Sequence, residues 1–497
     1  MRPDAKPAVG SGAGPVVRLG AGPGAEPGTG PRPGARPGEG PAVSPDVLVA
    51  EIGSTTTVVN AFRLGEHPRF LGQGLAPTTV DRGDVILGLE AALDDLMQKC
   101  APESGGRPEP WDSSLMLAAS SAAGGLSMTV HGLVYDMTVR AAKEAALGAG
   151  AVIKFITAGD MTEYDLRELR RIDPKIILLA GGVDYGERDT AIRNARRLAQ
   201  VGLKAPVVYA GNIAARAEVA DILGQAGIRF YIVDNVYPKV DELVVEPARR
   251  IIQDVFEEHI TRAPGMDNLR QMVKGTVLPT PGAVMEACKL LQPVLGDVVC
   301  LDVGGATTDV HSVASGSPEI QAILESPEPL AKRTVEGDLG IYRNAANVYS
   351  LVKDRAERDL GFDPSPVIEE LRPIPETPQE VALVRYLAAQ ACKTALSRHA
   401  GSLKFLYGPS GKQTVASGKD LTSVNTIIGT GGALTRLPGG EGMLKPLVGQ
   451  GPGRELYPKD ARILIDTHYI MAACGVLSRQ FPEEAREILV DGLEVRE

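Results

Sequence analysis

Cysteine and histidine are scarce in this sequence. Five cysteines are spread over 497 residues without a CxxC pair, and the six histidines form neither an HxxxH nor an HExxH pair. Disulfide frameworks and zinc sites both depend on such spacings. The sequence therefore predicts neither kind of site, and its cysteine usage favours a reducing, cytoplasmic location.

Basic clusters and long apolar runs are also missing. The formal net charge is −10, and no block of Lys and Arg provides the positive surface that a nucleic-acid backbone requires. No run of eighteen apolar residues is present, and no apolar segment of the secretory type lies near the start. We therefore expect no nucleic-acid partner, no membrane span and no export. The 43% hydrophobic content supports packed cores in two to four domains.

Residues 1–45 have a composition that cannot support a core. They contain 10 prolines and 11 glycines, with almost no periodic apolar residues. Such a segment buries too little surface to offset the entropy of ordering it. It is predicted to be a disordered tail. Its glycines do not indicate a nucleotide-binding loop, because no strand precedes them and no helix follows.

Regular structure is predicted from Val47 onward. The segment "VLVAEIGSTTTVVNAFRL" predicts a hairpin with hydroxyl side chains at its bend. Between residues 152 and 235, four short apolar runs alternate with helical patterns, which indicates a parallel α/β unit. These runs are "IKFITAG", "KIILLAGG", "PVVYAGN" and "FYIVDN". A long helix is expected to begin at a capping box of Thr377 and Glu380 and to end near Gly401.

Three glycine-rich turns, each directly after an apolar strand, carry the chemistry. They lie in "AEIGSTTT", "LDVGGATTD" and "IIGTGGALT". Glycine lets backbone N–H groups approach the oxygens of a polyphosphate, and a neighbouring Ser or Thr adds a hydroxyl donor. A carboxylate at a strand end would repel phosphate unless a divalent cation lay between them. The combination therefore predicts a magnesium-bound nucleotide.

In their order along the chain, these motifs resemble the first phosphate, second phosphate and adenosine motifs of the superfamily that includes actin, the Hsp70 chaperones and sugar kinases. The resemblance implies an α/β fold with two lobes built on duplicated ribonuclease H-like domains. Together with the pattern of strands, it gives a first ATPase lobe at residues 46–130 and an inserted Rossmann-like unit at 131–245. The remainder of the ATPase core occupies residues 246–497.

A narrower resemblance covers Val47 to Ser478. Segments such as "DNVYPKVDELVVEPAR", "DVGGATTDVHS", "RTVEGDLG" and "YIMAACGVLS" resemble the MutL or GlmL family of glutamate mutase (methylaspartate mutase) accessory proteins. That family is unrelated to the mismatch-repair protein of the same name. The resemblance implies a reactivating ATPase that uses ATP and Mg²⁺. Its implied partner is an adenosylcobalamin-dependent mutase, and a homo-oligomer is left open.

The resemblance also assigns roles to individual residues. Phosphate binding falls to Gly53, Ser54 and Thr55 in the first motif and to Gly304, Gly305 and Thr307 in the second. The adenosine would lie against Gly429, Gly431 and Gly432. Asp302 and Asp309 would organise Mg²⁺ through water and position the attacking water, and Glu51 would belong to the metal shell.

Glu51 departs from the superfamily pattern, which usually has Asp at this position. The extra methylene moves the carboxylate by about one bond length relative to the Mg²⁺ water shell. We therefore expect either a shifted cation or slow turnover. A nucleotide-gated binding protein with little hydrolysis remains an alternative, as does a small-molecule kinase of the same fold. For the inserted unit, a structural or partner-docking role is favoured over dinucleotide or cobalamin binding, because "LLAGGVDYGERD" lacks the GxGxxG spacing.

Overall fold

The computed structural model describes residues 45–100, 114–122, 126–139, 142, 145–146, 151–240, 242–261, 265–275, 277–325, 328–408, 411–449, 451 and 453–495. The tail predicted at residues 1–45 lies outside these ranges except for its last residue, so its disorder stays a prediction.

The described strands and helices are numbered here in chain order. The strands are β1 (Val47–Ile52), β2 (Thr56–Arg63), β3 (Arg69–Pro77), β4 (Leu115–Ser120), β5 (Leu126–Gly132), β6 (Ala151–Ala158), β7 (Ile176–Leu179), β8 (Val207–Tyr209), β9 (Phe230–Ile232), β10 (Leu278–Pro279), β11 (Val298–Val303), β12 (Thr308–Val313), β13 (Ala331–Glu336), β14 (Ser402–Gly408), β15 (Gly411–Ser417), β16 (Thr426–Thr430) and β17 (Arg462–Ile465).

The helices are α1 (Ile86–Cys100), α2 (Glu163–Ile172), α3 (Asp189–Val201), α4 (Arg216–Gln225), α5 (Glu246–Thr261), α6 (Met266–Met272), α7 (Thr280–Leu295), α8 (Pro318–Gln321), α9 (Ala345–Ser350), α10 (Lys353–Leu360), α11 (Ser365–Glu369), α12 (Pro378–His399), α13 (Gly432–Thr435), α14 (Gly440–Leu444), α15 (Met471–Leu477) and α16 (Pro482–Gly492). None of these described helices is long and apolar enough to cross a membrane.

Two five-stranded sheets share one topology. The first has the order β3-β2-β1-β4-β10, and the second has the corresponding order β13-β12-β11-β16-β17. In each sheet the first three strands along the chain form an antiparallel meander, and the next two strands pair in parallel beside the first. This duplicated ribonuclease H-like arrangement confirms the predicted two-lobed α/β fold.

The central helices lie between the two sheets. Strand residues alternate between two faces, so Val47 and Val49 of β1 join the core formed with α7, α15 and α16, whereas Leu48 and Ala50 pack towards α1 and α6. In β11, Val298 and Cys300 face the same central helices, whereas Val299 and Leu301 pack towards α12. Both strands are thus buried on both faces. Residues at their carboxyl ends line the same cleft.

The third sheet is the inserted unit. Its order is β6-β5-β7-β8-β9, and all neighbouring strands are parallel, which confirms the predicted parallel α/β unit. Strand β5, at an inner position, was not predicted, because its polar Thr129 and His131 obscure the apolar pattern although both are buried. Helix α5 contributes Ala248 and Ile252 to the core of this unit. The boundaries at residues 131 and 245 stay a prediction.

The capping box at the start of α12 is confirmed. The hydroxyl of Thr377 accepts a hydrogen bond from the N–H of Glu380 (3.2 Å), and the Glu380 carboxylate accepts one from the N–H of Thr377 (2.8 Å). The helix ends at His399, two residues before Gly401. Because Glu380 also accepts hydrogen bonds from Arg372, the cap fixes the segment that precedes the helix.

Candidate functional site

A cleft of about 320 Å³ opens between the two lobes. Its walls bring together most of the residues predicted from the sequence, although they are separated by up to 381 positions along the chain. The predicted residues that line it are Glu51, Gly53, Ser54, Thr55, Asp302, Gly304, Gly305, Thr307, Asp309 and Gly432.

The first two turns have the same local structure. The N–H of Gly53 donates to the carbonyl of Thr56 at 2.9 Å, and the N–H of Gly304 donates to the carbonyl of Thr307 at 2.9 Å. A Cβ at Gly53 would lie 2.6 Å from the oxygen of Thr56, so a side chain there would disrupt the turn. The two hairpins are therefore structural equivalents, one from each lobe.

These two turns also approach each other. A Cβ at Gly305 would lie 2.7 Å from the hydroxyl oxygen of Thr55, so the hydroxyl of one lobe already contacts the glycine of the other. In the described part of the chain, the backbone N–H groups at the turn positions have no backbone partner; these positions are Ser54, Thr55, Gly305 and Ala306. Unpaired N–H groups at the edge of a cleft are the donors that an anion such as phosphate requires.

The third turn directly follows β16, and its three glycines lie in different surroundings. Gly431 has φ +88°, and a Cβ there would lie 2.4 Å from the carbonyl oxygen of Val303 and 2.7 Å from Oδ1 of Asp302. Gly432 lines the cleft and faces open space. Gly429 lies inside β16, where a Cβ would contact Leu444 at 2.7 Å, and it does not line the cleft. Its geometry is that of a packing position, and the predicted adenosine contact of all three glycines remains a prediction.

Three carboxyl groups line the same cleft, of which Glu51 and Asp309 are buried and Asp302 is half-buried. Asp302 and Asp309 are direct cross-strand partners in the β11–β12 pair, and Glu51 lies on β1 of the other lobe. Burial, together with the charge of Asp466, raises the pKa of Asp302 to about 7. Burial and the charge of Asp302 raise the pKa of Glu51 to about 8. The pKa of Asp309 is likewise raised, chiefly by burial and secondly by Asp302.

These groups fit a divalent cation that is held partly through water. Among the described residues, Oε2 of Glu51 and Oδ1 of Asp309 are buried and have no hydrogen-bond partner. A cation nearby would satisfy both atoms and would favour the charged forms of the carboxyl groups, which burial first and mutual repulsion second disfavour. No group of three or more His, Cys, Asp or Glu side chains in the described ranges is arranged to hold a metal directly. Mg²⁺ usually keeps several waters and uses one or two carboxylates plus phosphate oxygens, which suits this arrangement.

Two further residues at the site were not found from the sequence. Asp466 follows β17 and accepts hydrogen bonds from the Thr430 hydroxyl (2.9 Å) and from the N–H groups of Ile470 and Met471 (3.0 Å each), so it caps α15. Tyr469 lines the cleft and donates its phenolic hydrogen to Oε1 of Glu51 at 3.0 Å. Neither residue lies in a glycine-rich turn, so no local pattern identifies them.

Two arginines complete the walls of the cleft. Arg436, just after α13, donates to Oε1 of Gln73 on β3 at 2.5 Å and thereby joins the two lobes. Arg372 is held by Glu380, and the segment that follows it, together with Val384 of α12, forms an apolar wall. The cleft thus combines unpaired donors and buried carboxylates at one place with apolar surface at another.

Comparison with known proteins identifies the family. A profile of the family described as "MutL protein" matches residues 47–493. "Protein MutL" from Clostridium tetanomorphum is 36% identical over 461 residues, which are 89% of this chain and 98% of that relative.

Solved structures include a diol dehydratase-reactivating factor in nucleotide-free form, with 11% identity, a TM-score of 0.35 and coverage of 88% of this chain and 100% of that chain. A glycerol dehydratase reactivase has 11% identity and a TM-score of 0.31, with coverage of 87% of this chain and 99% of that chain. Likenesses at these TM-scores carry no argument here. The family profile matches most of the chain, and the relative that is 36% identical is covered almost completely. On both grounds the chain belongs to the MutL protein family.

Proposed function

We propose that this protein is a cytoplasmic, Mg²⁺-dependent ATPase that acts as a reactivating chaperone for an adenosylcobalamin-dependent mutase. The observation that carries the proposal is the meeting of two equivalent glycine–hydroxyl turns and three carboxyl groups in one cleft between two lobes. The family supports the choice of client, which would be glutamate mutase or a related aminomutase.

Each group in the cleft has a part in hydrolysis. The unpaired N–H groups of the two turns would bind phosphate oxygens from opposite sides. Asp302 and Asp309 would orient the attacking water, and Oδ1 of Asp309 is available to accept a hydrogen bond from it. Bound Mg²⁺ would neutralise charge on the phosphates. Catalysis of this kind depends on positioning and electrostatics rather than on a covalent intermediate.

The mechanical output would be closure of the lobes. Because the turns come from different lobes, a nucleotide bound to both favours an arrangement in which they stay together. The client must bind the ATP-bound and ADP-bound states with different affinity, since a ligand with equal affinity for both shifts no equilibrium. Release of a damaged cofactor from the client would then follow the nucleotide cycle.

Two assays test the proposal. The first measures phosphate release from ATP by the purified protein with Mg²⁺ and with EDTA, and we expect release only with Mg²⁺. The second adds the protein to glutamate mutase that has been inactivated in turnover, with ATP or a non-hydrolysable analogue plus fresh adenosylcobalamin. We expect recovery of mutase activity with ATP only. Hydrolysis without recovery would reject this client, and the absence of hydrolysis would reject the ATPase.

A second candidate is a nucleotide-gated binding protein with little hydrolysis. It is favoured by one observation, the hydrogen bond that ties Oε1 of Glu51 to Tyr469 and leaves a single oxygen of the carboxylate for the metal shell. Comparison of ATP turnover with ATP affinity separates the two candidates. Tight binding without measurable turnover would favour the binding protein.

A further inference from the structure

Tyr469 lines the cleft and has an unusual backbone conformation. Its φ is +54°, in the left-handed region that residues with a Cβ rarely adopt. The preceding turn maintains this conformation, because the N–H of Tyr469 donates to the carbonyl of Asp466 at 2.8 Å and the Asp466 carboxylate caps the helix that follows. The turn therefore directs the phenol towards Glu51, 418 positions earlier in the chain.

The length of the Glu51 side chain matters for this contact. The hydroxyl of Tyr469 lies 3.0 Å from Oε1 of Glu51. An aspartate would withdraw the carboxylate by roughly 1.5 Å, the length of one C–C bond, and would lose the hydrogen bond unless the backbone moved. The bond orients the carboxylate, whose other oxygen, Oε2, is buried without a partner among the described residues. The hydrogen bond thus fixes Oε1 of Glu51, and Oε2 is available to a cation or to its bound water.

The same tyrosine connects Glu51 to the contact between the lobes. The guanidinium carbon of Arg436 lies 5.6 Å from the centre of the Tyr469 ring, within the range of a cation–π interaction. Arg436 donates to Gln73 of the first lobe, and Gln73 in turn donates to the side chain of Asn60 (2.8 Å) and to the carbonyl of His468 (3.1 Å). These contacts form a continuous chain from the carboxylate to the interface of the lobes.

We infer that Tyr469 is a positioning residue that fixes the Glu51 carboxylate for a nucleotide-bound divalent cation, and that this contact requires the length of a glutamate side chain. This inference rests on the proposed function. Glu51 and Tyr469 act as one unit, and their contact with Arg436 couples that unit to the Arg436–Gln73 link between the lobes. Closure of the lobes and binding of the cation therefore depend on the same phenol.

The test is a double-mutant cycle on nucleotide binding. ATP affinity of the full-length protein is measured by calorimetry with Mg²⁺ and with EDTA for wild type, Tyr469→Phe, Glu51→Asp and the double variant. Tyr386→Phe is the matched control, because its hydroxyl also donates to a carboxylate, that of Asp359 at 2.9 Å, away from the cleft. Thermal unfolding of each variant checks that it folds.

With Mg²⁺, we expect each single variant to bind ATP about tenfold more weakly than wild type, as is typical for loss of a hydrogen bond to a charged group. The double variant should bind no more weakly than either single variant, because all three lose the same bond. With EDTA, all of them and the control should match wild type.

Three results would overturn the inference: wild-type affinity of Tyr469→Phe with Mg²⁺, an equal loss with EDTA, or losses that multiply in the double variant. If the wild-type protein itself binds no ATP, the proposed function fails first and the inference fails with it. ATP binding that is normal in both wild type and Tyr469→Phe would overturn the inference alone.

Discussion

Asp302 and Asp309 lie directly opposite each other in the antiparallel pair of β11 and β12, although both side chains are carboxyl groups and both strands are largely buried. Like charges at directly paired positions destabilise a sheet. The pKa of Asp309 is raised by burial first and by the charge of Asp302 second, and the pKa of Asp302 is raised by burial first and by the charge of Asp466 second. A pairing that costs stability and yet lies at a cleft between two lobes indicates a functional site rather than a structural one.

Replacement of Asp302 by Asn should separate function from stability. We expect ATP hydrolysis to fall more than tenfold, because groups that position reacting water typically supply factors of about 10² to 10⁴. The melting temperature without nucleotide should stay the same or rise, since one of the repelling acids is removed. Asp221→Asn on the exposed face of α4 is the control, with unchanged turnover. Wild-type turnover in Asp302→Asn would remove this residue from the mechanism.

Gly432 offers a test of the adenosine motif without damage to the fold. A methyl group at this position would meet no other atom within 4 Å, yet Gly432 lines the cleft. We expect Gly432→Ala to change the free energy of unfolding by less than about 1 kcal/mol and to weaken ATP binding at least fivefold. Gly442→Ala, in an equally open position on α14, should leave the affinity unchanged. Equal affinities of the two variants would show that the nucleotide does not approach Gly432.

The inserted unit should be sensitive to acid through His131. Burial lowers the pKa of this imidazole to about 4, and its ring nitrogens lie 2.8 Å and 3.0 Å from the hydroxyls of Thr157 and Thr129. Below pH 6.5 the unfolded chain binds a proton that the folded protein excludes. The stability is therefore complete above pH 6.5 and decreases as the pH falls towards 4, by up to about 3 kcal/mol.

His131→Asn isolates this contribution. The variant should be less stable than wild type at pH 7, because its side chain cannot reproduce both contacts. Between pH 7 and pH 5 the difference in unfolding free energy should shrink by about 2 kcal/mol, since only the wild type has the histidine to titrate. Urea unfolding at several pH values measures the difference. A gap that stays constant across this range would show that His131 does not titrate as its burial predicts.

The N-terminal tail gives a prediction from composition alone. Deletion of residues 1–44 should leave the melting temperature nearly unaltered, because a segment with so many glycines and prolines contributes no packed core. Differential scanning calorimetry of the full-length and the truncated protein measures both melting temperatures. A large decrease in melting temperature after the deletion would show that this segment packs against the rest of the chain.

Much of the fold and of the site could be predicted because their signals are local. The turn at Gly53 and the turn at Gly304 each follow an apolar strand, and the capping box at Thr377 lies within four residues of sequence. Within β1 and within β11, successive residues alternate between the two faces of the strand, and this alternation can be read from the local sequence alone. The resemblance of the three motifs, in their order, to those of the actin and Hsp70 superfamily then implied that they meet between two lobes.

The site residues that the sequence did not predict are placed by contacts between residues far apart in the chain. Tyr469 reaches Glu51 across 418 positions, and Arg436 reaches Gln73 across 363, so no periodicity or spacing could pair them. The adenosine contact of Gly429, which the family resemblance implies, stays a prediction. In the structure, tight packing against Leu444 accounts for the glycine there. A sequence pattern alone does not distinguish a glycine that admits a ligand from one that admits a neighbouring side chain.

The central claim is that the turns of both lobes bind a single magnesium-bound adenine nucleotide in the cleft between them. Calorimetric titration of the purified protein with ATP or ADP, under saturating Mg²⁺, tests it most directly. We expect a clear heat of binding with one nucleotide per chain, and a weakened heat for Gly432→Ala. The absence of any heat with either nucleotide would contradict the account.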